Sequence, residues 1–187
     1  MNSIDAKYIK MTQTSIPKLV MNLAIPSIIS MVITSIYNMA DTYFVSQINT
    51  SASGAVGISF SFMALVQSIG FTMGMGSGNY IARLLGQQDP DKAAEVAATG
   101  FITTFGIGIL FSVLGMIFIK PLALLLGATP TILPYATDYI RYILVGVPFM
   151  MSSYVLNNIF RYQGSAFYSM FGIGIGGIIN IVLDPIF

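Results

Sequence analysis

Cysteine and histidine are absent from all 187 residues, and charge is scarce, at 8 Lys plus Arg and 7 Asp plus Glu. Without Cys or His the chain has no thiol nucleophile, no disulfide framework, no iron–sulfur cluster and no Cys/His zinc site. Charged residues make up 8% of the sequence against the roughly 25% of soluble domains. With 55% of residues hydrophobic, the composition excludes an ordinary soluble fold. The net charge of +1 offers no basic surface, and no nucleic-acid partner is expected.

What is present is a series of uncharged stretches. Residues 19–40, 96–119, 142–160 and 162–183 hold no Asp, Glu, Lys or Arg, and each approaches the ~20 residues that carry a helix across ~30 Å of hydrocarbon. Residues 42–82 are uncharged too, but break at the polar run Gln47-Ile48-Asn49-Thr50-Ser51. The expectation is an all-α membrane protein, a bundle of about five transmembrane helices at about 17–46, 54–82, 93–120, 131–160 and 163–187, after a segment 1–16. That segment has no small-residue cleavage site behind a short apolar core, so no removable signal peptide is read from it.

Lys7, Lys10 and Lys18, then Arg83 and Lys92, then Arg161 fall at the start and in the second and fourth connections, whereas Lys120 and Arg141 fall on the other side. The positive-inside rule puts the N-terminus in the cytoplasm, in a multi-pass protein of the cell (inner or plasma) membrane. Asp89-Pro90-Asp91 is a helix-start signal, with Asp89 at the N-cap, Pro90 at the first helical position and Asp91 at the positive dipole end. Gly86, Gly127 and Gly164 suit turns, and Pro26 lies within the first span, where a missing N–H and a ring clash kink a helix.

Two carboxylates stand out. Asp41 is the sole charge between Lys18 and Arg83, Asp184 the sole one after Arg161, and each follows a basic residue by 23 positions. At 1.5 Å per residue both travel roughly 35 Å along a helix, to similar depth beyond the midplane. An ionised carboxylate in hydrocarbon costs at least ~2.5 kcal/mol, so such residues face a wet interior or a partner and by default mark ion or proton pathways. Ser27, Ser30, Thr34, Asn38 and Asp41 recur at three or four and share one helix face, and Ser165, Ser169, Gly172, Gly176, Asn180 and Asp184 do so in the last span. The pair, with the Asn180 amide, supplies either hard oxygen ligands for Na⁺ or an acid whose pKa is raised by burial and by its neighbour. The bland alternative keeps both at the outer headgroup boundary, solvated and inert. Gly172, Gly174, Gly176 and Gly177, including Gly172-xxx-Gly176, give a small-residue face for close helix approach. Asn157 stands one turn from Arg161 and serves either the ion site or interhelical hydrogen bonding. The 12 Met, 13 Phe and 10 Tyr would suit a soft cavity, though in a bundle they are more often core or lipid-facing.

Several stretches resemble one family: Asp41-Thr42-Tyr43-Phe44-Val45, Gly74 through Arg83 with Gly86, Arg161-Tyr162-Gln163-Gly164, and Gly177-Ile178-Ile179-Asn180-Ile181-Val182-Leu183-Asp184-Pro185. In this order and spacing they are similar to the multidrug and toxic compound extrusion (MATE) transporters. The resemblance implies the first of two six-helix lobes, here without its sixth helix and without the C-terminal lobe of a longer parent chain. It implies antibiotic and xenobiotic efflux, the export of small cationic drugs by antiport with Na⁺ or H⁺ and no other cofactor. The coupling cation would sit at Asp41, Asn180 and Asp184, accompanied by Asn157, and Thr34, Tyr37 and Asn38 would line the substrate cavity. The rivals are a lipid-linked precursor flippase of the same superfamily and an intramembrane aspartyl enzyme built on Asp41 and Asp184; the family itself is not enzymatic.

Overall fold

A computed structural model describes residue 9, residues 11–47 and residues 50–183, with the side chains of all but 45, 46 and 180–183. The described residues form helices throughout: α1 (Ile16–Ser46), α2 (Thr50–Gly86), α3 (Pro90–Ile117), α4 (Ile119–Leu125), α5 (Leu133–Tyr162) and α6 (Ala166–Leu183). The apolar stretches Ile16–Phe44, Thr50–Gly86, Pro90–Ile117 and Leu133–Tyr162 are each long and apolar enough to cross a membrane.

The third apolar stretch, read from sequence as 93–120, is not one helix. It stops at Ile117, turns at Phe118 (φ −106°, ψ 28°) and restarts as the seven-residue α4. Pro121 accounts for the break, since its ring would clash with the carbonyl of Ile117 and it has no N–H to offer. The start signal before α3 behaves as its residues dictate: an Asp89 carboxylate oxygen accepts from the Lys92 main-chain N–H at 3.2 Å, and Pro90 opens the helix. Gly127 (φ +100°) and Gly164 (φ +73°) are left-handed turns, while at the α2–α3 connection Gln88 (φ +60°), not Gly86, takes that conformation.

α5 is the hub. It packs most extensively on α2, then on α3, with lesser contacts to α4 and α6, while α1 lies chiefly against α6. Glycine makes the main contacts possible. Gly70 and Gly74 of α2 face Tyr154 and Asn158 of α5 so closely that an added Cβ would stand 3.1 Å from Tyr154 Cβ and 3.0 Å from Asn158 Cβ. Because both numbers rise together, α2 and α5 run parallel. Gly108 of α3 meets Pro148 and Gly115 meets Leu144, so α3 runs antiparallel to α5.

Two clusters fill the interior. Phe62, Val66, Ile140, Leu144, Val147 and Met151 pack with Ala123 of α4 towards one end. Ile81, Leu84, Ala93, Val155 and Ile159 pack towards the other, which carries Arg83, Lys92 and Arg161. The buried hydroxyls of Ser30, Ser59, Thr104 and Ser152 each donate to the carbonyl four residues back, at 2.7–2.8 Å. A hydroxyl in an apolar bundle is thereby satisfied without leaving its own helix.

Candidate ion site between the first and last helices

The polar face of α1 is its inward face. Ser30 is buried and Ser27, Thr34, Tyr37, Asn38 and Asp41 are half-buried, whereas Ile28, Met31, Val32, Ile36 and Met39 on the opposite side are exposed. Much of that polarity is spent locally: Ser27 donates to the Leu23 carbonyl at 2.9 Å and Thr34 to the Ser30 carbonyl at 2.9 Å. Besides these hydroxyls, the face carries Tyr37, the Asn38 amide and the Asp41 carboxylate.

α6 sets its glycines against this face. A Cβ added at Gly177 would stand 3.0 Å from Ile33 Cγ2 and 3.1 Å from Tyr37 Cδ1, and one at Gly174 would stand 3.7 Å from Ile33 Cδ1. Gly172 and Gly176 instead meet open space. The close approach thus runs through Gly174 and Gly177, not through the Gly172-xxx-Gly176 pair expected from sequence. At the other end of the pair, Gly164 lies against Met11. Low numbers meet low and high meet high, so α1 and α6 run parallel.

Parallel register fixes what comes next. One turn beyond the Tyr37–Gly177 contact, α1 presents Asp41 and α6 reaches Asn180. The side chain of Asn180 and the whole of Asp184 lie outside the described residues. Asn157 is placed elsewhere: its amide nitrogen donates to the Ser169 carbonyl at 3.3 Å, and Arg161 Nε donates to Ser169 Oγ at 3.2 Å. Ser169 precedes Asn180 by eleven residues, about 16 Å along the axis. Asn157 and Arg161 therefore pin α5 to the first half of α6, at a level well short of Asn180.

Deeper in the bundle, the Tyr154 ring of α5 packs on Phe71 of α2 with centroids 5.0 Å apart. Neither charge nor the polar periodicity of α1 points to Tyr154; the signal for it is the spacing of small residues Gly70-xxx-Gly74-xxx-Gly78, whose members meet Tyr154, Asn158 and Tyr162 in turn. Among the described residues no group of three or more acidic side chains gathers.

The comparisons with known proteins agree on one family. The MatE family model matches residues 26–186. An FAD transporter of Shewanella oneidensis is 32% identical over 91% of this chain and 38% of its own length. A multidrug export protein, MepA, of Staphylococcus haemolyticus is 29% identical over 97% and 40%. Among solved structures, a multidrug resistance MATE transporter in an outward-facing conformation superposes with a TM-score of 0.85 at 31% identity. A MATE transporter in a bent conformation reaches 0.87 at 29%, over 96% of this chain and 40% of that one. The chain spans about two fifths of the length of these relatives. With its helical hairpins, its apolar spans and a family model matched over most of its length, this chain is a multi-pass membrane protein and belongs to the MATE family of transporters.

Proposed function

We propose that the protein of which this chain forms part exports small cationic aromatic compounds in exchange for Na⁺ or H⁺, with the coupling cation held at Asp41 of α1 together with Asn180 and Asp184. The observation that carries the reading is the position of Asp41: the sole charge between Lys18 and Arg83, it is half-buried on the inward face of α1, one turn beyond the point where Tyr37 meets Gly177. A cation arriving there offsets a carboxylate that is costly to hold at that depth. Thr34, Tyr37 and Asn38 share the face and would line the cargo cavity. Pro26 supplies a flexible point in α1, so that filling and emptying of the ion site can bias the angle of the helix. The N-terminus is assigned to the cytoplasm, because Lys18, Arg83, Lys92 and Arg161 gather at one end of the bundle.

The test is ion-driven efflux of ethidium or a fluoroquinolone by the full-length protein in inverted vesicles, with Na⁺ and H⁺ gradients imposed separately. Asp41→Asn should abolish coupled export while leaving expression and thermal unfolding unchanged. Wild-type efflux by that variant would falsify the assignment.

The relative named as an FAD transporter favours a second cargo, a flavin nucleotide. FAD accumulation in the medium that depends on this protein, with no resistance to ethidium, would select that cargo over cationic drugs.

A further inference from the structure

We propose that the cavity between the start of α1 and the start of α6 binds a phosphate group, with the Ser165 hydroxyl and the main-chain N–H groups of Ala166 and Phe167 as donors. The cavity measures about 220 Å³ and is walled by Leu19, Asn22 and Leu23 of α1 and by residues 164–168, with Met11 above it. It stands apart from the Asp41 level and does not depend on the proposed ion coupling.

Ser165 is the exception among the buried hydroxyls. Ser30, Ser59, Thr104 and Ser152 each donate to a carbonyl on their own helix, and Ser169 is bonded by Arg161. Ser165 is only 7% exposed, yet its Oγ bonds no described residue. A buried hydroxyl left unpaired costs free energy that a bound partner recovers. Its position sharpens the point. Ser165 precedes the first residue of the 18-residue α6, where a serine ordinarily caps the free N–H groups of the first turn. Here that cap is not made. The hydroxyl and the leading N–H groups are therefore available together, at the end of a helix where the dipole favours an anion.

The surrounding charge has the matching sign. Lys18 stands one turn before Asn22 on α1 and Arg161 one turn before Ser165, and neither pairs with a carboxylate among the described residues. The described acids of this end, Asp89, Asp91 and Glu95, lie on the α2–α3 connection and the opening turns of α3. Leu19, Leu23 and Phe167 give the site apolar walls, which suits a phosphate ester carried on a hydrocarbon body. The same donors would accept a free phosphate compound, and the experiment separates the two sources.

Full-length protein purified in mild detergent would be titrated with phosphatidylglycerol, followed by native mass spectrometry, and separately with inorganic phosphate, followed by ³¹P line broadening. Ser165→Ala should weaken phosphate-ester binding roughly tenfold, the loss expected of one hydrogen bond to a charged group, without lowering thermal stability, because the hydroxyl it removes has no partner in the fold. Lys18→Gln, an exposed change, should weaken it a few fold, and Arg141→Gln at the opposite end should leave it unchanged. Binding of the lipid alone with this pattern identifies a headgroup site, and binding of inorganic phosphate with the same pattern identifies a soluble phosphate. Retention of both probes at wild-type strength by Ser165→Ala and Lys18→Gln overturns the proposal, as does failure of wild type to bind either.

Discussion

Gly177 of α6 and Tyr37 of α1 share one level of two parallel helices, the tyrosine ring lying within 3.1 Å of where a side chain on Gly177 would begin. Gly177→Leu must therefore push α1 and α6 apart. The expected cost is about 1–3 kcal/mol of stability, the usual penalty of overpacking, with a loss of transport larger than the loss of folded protein. Gly176→Leu, one residue away and with nothing within 4 Å, should leave stability unchanged. Thermal unfolding and dye efflux measured side by side on the two variants check this.

Gly108 offers no room of any kind. A Cβ there would lie 2.6 Å from Pro148 Cα, which is main chain and cannot rotate aside. Gly108→Ala should destabilise by about 1–3 kcal/mol in spite of the better helix propensity of alanine. Gly106→Ala, with nothing within 4 Å, should be neutral or stabilising by up to about 1 kcal/mol. A lower unfolding midpoint for Gly106→Ala than for Gly108→Ala would refute the packing account.

The Arg161–Ser169 bond ties α5 to α6. A double-mutant cycle of Arg161→Gln and Ser169→Ala should report a coupling near 0.6 kcal/mol, the average for polar bonds between membrane helices. Strict additivity of the two changes would mean that the bond contributes nothing to holding the helices together.

Asp89 gives a pH dependence outside the spans. The Lys92 main-chain N–H, and then the Lys92 side chain, hold its carboxyl below the ordinary value of 3.8. A depressed folded pKa contributes stability that is present above 3.8 and is lost as pH falls through the folded value. The wild type should therefore lose part of its α3 cap below about pH 4. Asp89→Asn, which keeps a capping oxygen but does not titrate, should show a flatter acid limb in thermal unfolding followed against pH.

How far the sequence carried the fold is clear at α1. The recurrence of Ser27, Ser30, Thr34, Asn38 and Asp41 at three and four identified an inward polar face, because helical spacing alone determines which residues share a side. The same rule could not say which of four α6 glycines meets α1. Gly172, Gly174, Gly176 and Gly177 cover more than one side of the helix, and which of them meets α1 depends on the rotation of α6, which tertiary packing sets and which places Gly174 and Gly177 against Ile33 and Tyr37. Asn157 shows a further limit: that it shares a helix face with Arg161, one turn away, is legible from spacing, but its level against α6 depends on where the two helices cross. The end of α3 was open to reading, since Pro121 forbids continuation. The absence of charge up to Lys120 marks the apolar stretch, whereas the helix ends where the Pro121 ring requires.

The parallel contact between α1 and α6 bears on how the protein is made. Tyr37 leaves the ribosome 140 residues ahead of Gly177, an interval on the order of ten seconds at ordinary rates of synthesis. Through that time the polar face of α1, Asp41 included, waits without the helix that will cover it. α2, α3 and α5 can assemble meanwhile through Gly70, Gly74 and Gly108. α1 is thus made before the other described spans and is among the last of them to be completed, and the membrane insertion machinery, or the surrounding lipid, must shelter it until α6 arrives.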